Sequence, residues 1–318
     1  MADAGRKTRG QEPYTLVMES AISARTIIQL PNGRAGIAKT SGAVGDTVAF
    51  DTTGVWPVVK TAGIVLLDGG RLYWDHSANA ATFRTVNDRD FFLGTIVGDA
   101  TSADTEVSVD LNAEPRYEID LLGNSRLSQV GWTPERTNGL GVTLLPGGGA
   151  QLAFDAVAEA AQAAIYSERT FTPTCNPVLE LKLACYDKGD NAALDINFGL
   201  ANGTHATDFE SVTEFAGFHM DGNSLVINAQ SRDGTTTVAV VTTTVSAVDD
   251  TFFEVWIDAR VTTSVKLYID GVRVLSGSTF KLDNATGPLK PILHLEKTSD
   301  DTLADFRIAF ARLRTGEQ

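Results

Sequence analysis

The sequence is poor in the residues that most often carry chemistry. It has two cysteines and four histidines in 318 residues. Cys175 and Cys185 bracket the alternating run VLELKLAC. One strand of that length would hold them roughly 30 Å apart at about 3.3 Å per residue. That excludes a disulfide unless the chain turns near Asn176-Pro177, and it predicts free, reduced thiols, as in a cytosolic product. His76, His205, His219 and His294 form neither an H-x-x-x-H nor an H-E-x-x-H pair, so no metal site is read from them, and no cofactor is called for. Basic charge is scarce too: 26 Lys and Arg against 40 Asp and Glu leave a formal net charge of −14. An acidic surface repels phosphate backbones, which argues against nucleic acid as the main partner and favours solubility. No apolar run reaches the ~20 residues that span a bilayer, and the polar start MADAGRKTRGQEP lacks the apolar stretch of a secretory signal. The expectation is a soluble protein made in the cytoplasm, with no membrane partner.

Enzyme motifs are missing as well. Residues 33–42, GRAGIAKTSG, contain the parts of a phosphate loop without its spacing. G-x-x-x-x-G-K-[ST] needs a glycine before the lysine, so that successive N–H groups point at the phosphates, and a helix after it. Here Ala38 precedes Lys39, and Gly42, Gly45, Gly54 and Pro57 would interrupt any helix opening there. A turn between strands with an exposed lysine is expected instead. No G-x-S-x-G elbow occurs, and no E-x-D-x-E run supplies the facing carboxylates of a glycoside hydrolase. Glu254 and Asp258 in FEVWID share a strand face, but it is the one opposite Phe253, Val255 and Ile257, where a solvent-exposed row of charges is expected. DKGDNAALD (Asp187, Asp190, Asn191, Asp195), SAVDDT (Asp249, Asp250) and TSDDT (Asp300, Asp301) lack the ligand order of an EF-hand and read as solvated turns. No catalytic activity is expected.

What the sequence does have is β pattern. Residues 1–14 read as a polar, basic arm. From 15 to 112 short apolar stretches (RTIIQL, DTVAFD, GVWPVVK, RLYWD, FFLGTIVGD, EVSVDL) alternate with turn signals such as PNG, DTTG and DGG. Strands at this even spacing predict a small all-β barrel or sandwich. Residues 113–140 mix Pro, Gly, Asn and charge and read as an ordered but irregular connection. From 141 to 318 long alternating runs follow one another, and in KLYIDGVRVL the pair Asp270-Gly271 is a type I′ hairpin turn. Many antiparallel strands of this length predict a two-sheet jelly roll. FDAVAEAAQAAIYSE, residues 154–168, is alanine-rich and has helical composition, but strand-like neighbours favour strands, with a helix as the alternative. Trp74 is expected in the core, and Trp56 and Pro57 at a surface edge.

Several of these stretches match a known pattern. Gly36-Ile37-Ala38, Gly45-Asp46, Gly54-Val55-Trp56-Pro57, Leu72-Tyr73-Trp74-Asp75, Gly94-Thr95-Ile96-Val97 and Val107-Ser108-Val109 follow one another in order. Across residues 15–112 the chain resembles the phage capsid decoration, or head cement, proteins. That family is often labelled RecA/RadA recombinase, a label the failed phosphate-loop spacing argues against. The resemblance implies a β-tulip-like domain similar to the head-decoration protein of lambda-like phages. It further implies a homotrimer on the outer capsid at three-fold positions, with the major capsid protein as partner and the virion as location. Arg6, Lys7, Arg9, Trp56 and Pro57 are the candidate capsid contacts. NFGLANG, GFHMDGNSLVI, FEVWIDAR and ADFRIAFARLR resemble concanavalin-like, laminin-G-like jelly rolls, which leaves glycan binding by residues 141–318 as the alternative function. A carbohydrate-active enzyme or an ATPase is the weaker rival.

Overall fold

The protein is described by a computed structural model covering residues 14–117, 119–120, 131–146, 148–206 and 208–316. Arg6, Lys7 and Arg9 lie outside the described residues. The fold is all-β, apart from short 3-10 turns, and the chain divides into two compact units, Met1–Arg116 and Tyr117–Gln318.

In the first unit, β1 (Tyr14–Val17), β2 (Ile27–Gln29), β3 (Ala35–Ala38) and β4 (Thr47–Asp51) form an antiparallel sheet in the order β1-β4-β3-β2. A second sheet, β5-β9-β8-β6-β7, contains β5 (Val55–Val59), β6 (Arg71–Asp75), β7 (Ala80–Thr82), β8 (Phe91–Val97) and β9 (Glu106–Leu111). A parallel bridge from Lys60 to Ala81, with Thr61 N donating to the Ala81 carbonyl at 2.9 Å, joins its two ends, so this sheet closes as the expected small barrel. Alternation fills the inside: Val107, Val109 and Leu111 of β9 point inward beside Leu72, Leu93 and Trp74. Gly94 lets two strands cross closely, because a Cβ there would collide with the Asp110 carbonyl. Asn112 takes a left-handed backbone (φ 59°), and its side chain bonds the Ala35 N–H, the Ala35 carbonyl and the Thr52 carbonyl at 2.8–2.9 Å. One polar side chain thus ties the end of β9 to β3. Lys39 follows β3 and pairs with Asp51 at 3.1 Å, in a turn region with no helix after it.

The second unit is a sandwich of two antiparallel sheets. It contains β10 (Ile119–Asp120), β11 (Trp132–Thr137), β12 (Gly141–Leu144), β13 (Ala150–Phe154), β14 (Glu159–Ser167), β15 (Val178–Asp187), β16 (Leu194–Ala201) and β17 (Glu214–Asp221). It continues with β18 (Val226–Asp233), β19 (Thr237–Ser246), β20 (Phe253–Asp258), β21 (Lys266–Ile269), β22 (Val272–Val274), β23 (Lys290–Asp300) and β24 (Ala304–Arg314). The eight-stranded sheet runs β12-β13-β24-β15-β20-β21-β22, with β10 also on β24; the seven-stranded sheet runs β11-β14-β23-β16-β17-β18-β19. One apolar core lies between them, with Phe198 stacked on Phe218 and Phe306 (centroids 5.6 and 5.8 Å apart). Asp270 and Gly271 both have positive φ (48° and 76°), as a type I′ turn requires.

The structure departs from the sequence reading at some points and agrees with it at others. The irregular connection ends early, because Trp132 is fully buried and draws Trp132–Thr137 into the sandwich as β11. The alanine-rich stretch is strand, since Ala161 and Ala163 face the packed core, where small side chains fit. Glu254 and Asp258 are not a solvent-exposed row. Both are buried: the Arg260 guanidinium holds Asp258 through two contacts of 2.8 Å, Lys182 lies 4.0 Å from Glu254, and the Trp256–Tyr268 pair flanks them. Asp195 is not in a solvated turn either; it is a strand residue of β16, set between β23 and β17 by the sheet register. Cys175 and Cys185 are free, the first in a 3-10 turn and the second inside β15.

Candidate functional site

Two places stand out. The first is the β5 edge of the barrel. β5 pairs with β9 along its length and meets β7 only through the single bridge, which is where a strand proline is tolerated. Pro57 is exposed, and so are Val55 and Val59 beside it. Trp56 is half-buried, donates its indole N–H to the Thr53 carbonyl at 3.0 Å, and lines a groove of about 380 Å³ with Pro57, Arg25, Ile27, Trp74 and Glu106. Trp56 and Pro57 therefore come together at one apolar rim.

The second is the outer face of the seven-stranded sheet. In its five middle strands alternate residues belong to the core, and the residues between them include a polar set: Gln162 on β14; His294 and Glu296 on β23; Asp195 and Asn197 on β16; His219 and Asp221 on β17; Asn228, Gln230 and Arg232 on β18. Register aligns them in rows. Gln162, Glu296, Asp195 and Asp221 form one row; His294, Asn197, His219 and Asn228 form the next. An outer face would normally be wet, yet most of this polar set is buried. Part of the cover is the segment around the 3-10 turn Phe209–Ser211. Phe209 drops its ring onto His294 (4.8 Å) and Phe215 (4.9 Å), within a small apolar cluster with Ala201, Val212 and Ile292.

Burial sets the electrostatics. The Phe209 N–H donates to both oxygens of Glu296 at 2.8 and 2.9 Å, but burial outweighs this and pushes the Glu296 carboxyl up to about 8, aided by the charges of Asp195, Glu210 and Asp208. Asp195 is raised to about 6, first by burial and then by Glu210, Asp221 and Asp208, with His219 acting against the shift. Burial lowers His294 to about 4; its Nε2–H donates to the His205 carbonyl at 2.8 Å, which leaves Nδ1 as a lone pair 3.9 Å from Glu296. Arg232 donates to the carbonyls of Phe209 (2.9 Å) and Val212 (3.0 Å), to Gln230 (2.7 Å) and to Glu210 (3.3 Å). Several buried polar atoms have no hydrogen-bond partner among the described residues: both polar atoms of the Gln162 amide, Asn197 Nδ2, Asn228 Oδ1 and His294 Nδ1. Buried polar groups are normally satisfied, so such a concentration calls for a cause.

Sequence reasoning placed none of these residues in a site, because each row is assembled across neighbouring strands. The signal was present as polar alternation: Asp-x-Asn in LDINF, His-x-Asp in FHMD and His-x-Glu in LHLE interrupt otherwise apolar strands.

The two units thus define an all-β protein with a small barrel domain and a jelly-roll sandwich. Residues 8–111 match the family described as phage cement protein. The matched residues make up most of the first unit, which is similar to a phage cement protein domain. No curated protein matches the sequence. Among solved structures, the Emp47p carbohydrate recognition domain is similar with a TM-score of 0.46 at 12% identity, over 62% of this chain and 95% of its own. A Bacteroides ovatus GH16 protein in complex with a mixed-linkage glucan product has a TM-score of 0.43 at 12% identity, over 57% and 94%. A carbohydrate esterase from bacteriophage phi24B has 0.40 at 11%, over 64% and 99%. No residue correspondence follows at such identities.

Proposed function

We propose that the protein is a head decoration protein. It binds the outer surface of the phage capsid as a homotrimer at three-fold positions, contacts the major capsid protein through the first unit, and stabilises the expanded head, with the second unit displayed to the medium. The match of residues 8–111 to the cement family carries this reading. The apolar β5 rim supports it: a half-buried Trp beside exposed Pro57, Val55 and Val59 is the composition of an interface anchor. A gained interface of about 1,200–2,000 Å² per contact is the size that makes such binding specific. Arg6, Lys7 and Arg9 add cationic contacts to the shell. The test is co-sedimentation of the full chain with expanded heads. Saturable binding is expected, weakened at least tenfold in Trp56→Ala and lost when residues 1–13 are removed; undiminished binding by both variants sinks these contact assignments.

The part of the polar outer face that stays open, around Asp195 and Asp221, favours a second role for the second unit, binding of host or environmental glycans on the virion surface. A glycan array probed with the full chain tests it, and an empty array rejects it. The reading includes no turnover, so ATPase and reducing-sugar assays are expected to stay at background.

A further inference from the structure

Beyond the capsid reading, and independent of it, we propose that the outer face of the seven-stranded sheet holds one divalent metal ion between Asp195, His219 and Asp221.

The geometry brings the three together from two adjacent strands. His219 Nε2 lies 3.0 Å from Asp221 Oδ1 and 3.8 Å from Asp195 Oδ1, and one ligand atom from each residue fits within 4.8 Å of the others. Ligands bound to one ion at about 2.0–2.2 Å stand no more than roughly 4.4 Å apart, so modest side-chain movement closes the set.

The hydrogen-bond chain behind His219 orients the ring. A guanidinium only donates, and Arg232 Nη2 donates to Gln230 Oε1 at 2.7 Å. That fixes the Gln230 amide, whose Nε2 donates to Asn197 Oδ1 at 3.0 Å. Asn197 Oδ1 is therefore an acceptor, and His219 Nδ1, 2.9 Å away, carries the proton that it accepts. In the neutral ring Nε2 is then a lone pair, facing carboxylate oxygens that also only accept. A lone pair and a carboxylate at 3.0 Å require a cation between them, either a proton or a metal ion. A histidine whose far N–H is held by an oxygen is the usual outer-shell arrangement of a metal ligand.

The surroundings favour the metal. Asn228 stands opposite His219 in the sheet, is 4% exposed, and its Oδ1 has no partner among the described residues, while its Nδ2 makes a 3.3 Å contact to Asp221 Oδ2. A half-turn of that amide brings the unsatisfied oxygen toward the ion as a fourth ligand. On the other side of Asp195, Glu210 and Glu296 offer further carboxyl oxygens within 4.8 Å of its own. One imidazole with two carboxylates suits Mn²⁺ or Zn²⁺ better than Ca²⁺, which takes six to eight oxygens.

The test uses the full chain, stripped with a chelator and titrated by calorimetry with MnCl₂ and, separately, ZnCl₂. One ion per chain is expected, with affinity at least tenfold weaker in Asp195→Asn and in His219→Gln, and unchanged in the control Asp249→Asn. No saturable binding, or equal binding by natively folded Asp195→Asn and His219→Gln, overturns the proposal and leaves a proton on Nε2. If those variants fail to fold, Mn²⁺ broadening of the wild-type histidine ring resonances decides. His219 broadened first supports the site, and His219 unaffected at saturation overturns it.

Discussion

Replacing Phe209 by alanine removes the main apolar seat of the segment that covers the polar face. The ring is fully buried and packs on Phe215 and His294 at 4.9 and 4.8 Å, while its backbone N–H caps Glu296 and its carbonyl accepts from Arg232. Truncating a buried Phe costs about 3–5 kcal/mol, as lost transfer energy plus a cavity. At roughly 2–4 °C per kcal/mol for a unit of this size, the melting transition of the second unit should fall by about 10 °C. Water then reaches Glu296 and His294. Burial is the largest cause of both shifts, so the Glu296 midpoint should move down from about 8 and that of His294 up from about 4. Scanning calorimetry reads the first effect and NMR titration the second. Phe209→Leu, which keeps most of the volume, should lose well under half as much stability. A Phe209→Ala transition within ~1 kcal/mol of wild type would show that the Phe209 segment does not hold the cover in place.

The other predictions concern buried polar groups. The folded protein holds the Glu296 proton more tightly than the unfolded chain, about 8 against 4.5, so its contribution is full below pH 4.5 and is lost as pH rises toward 8. Glu296→Gln should remove a slope of up to about 1.4 kcal/mol per pH unit from urea unfolding measured between pH 5 and 8, and parallel wild-type and variant slopes contradict this. Lys297 is buried and donates to the carbonyls of Asp155, Val157 and Thr302 at 2.8, 2.9 and 3.2 Å. Lys297→Met keeps the packing but strands those acceptors, and should cost about 3 kcal/mol; a neutral substitution would mean that water replaces the ammonium. Burial pushes the Cys185 thiol up to about 12, whereas Cys175 is half-buried. A thiol reagent should therefore titrate one cysteine in the native protein and both after unfolding, and two equal native rates refute the assignment.

Local patterns carried most of the fold. Alternation in EVSVDL found β9, and Asp270-Gly271 found its hairpin, because both depend on neighbours in the chain. The resemblance that identified the first unit also rested on contiguous turn-and-strand signatures. The polar face was not legible for the opposite reason: Glu296 meets Asp195 only through the β23–β16 register, about a hundred residues apart in sequence. Long-range pairing likewise buried Glu254 and Asp258, where alternation alone predicted water. Trp132 hid inside a segment of turn-like composition, and only the sandwich gave it a core position.

The central claim is best tested by mass and stoichiometry together. The account predicts a solution assembly of three 33.9 kDa chains that binds purified expanded heads and saturates at one assembly per three-fold position. A monomer in solution that leaves such heads undecorated would contradict it.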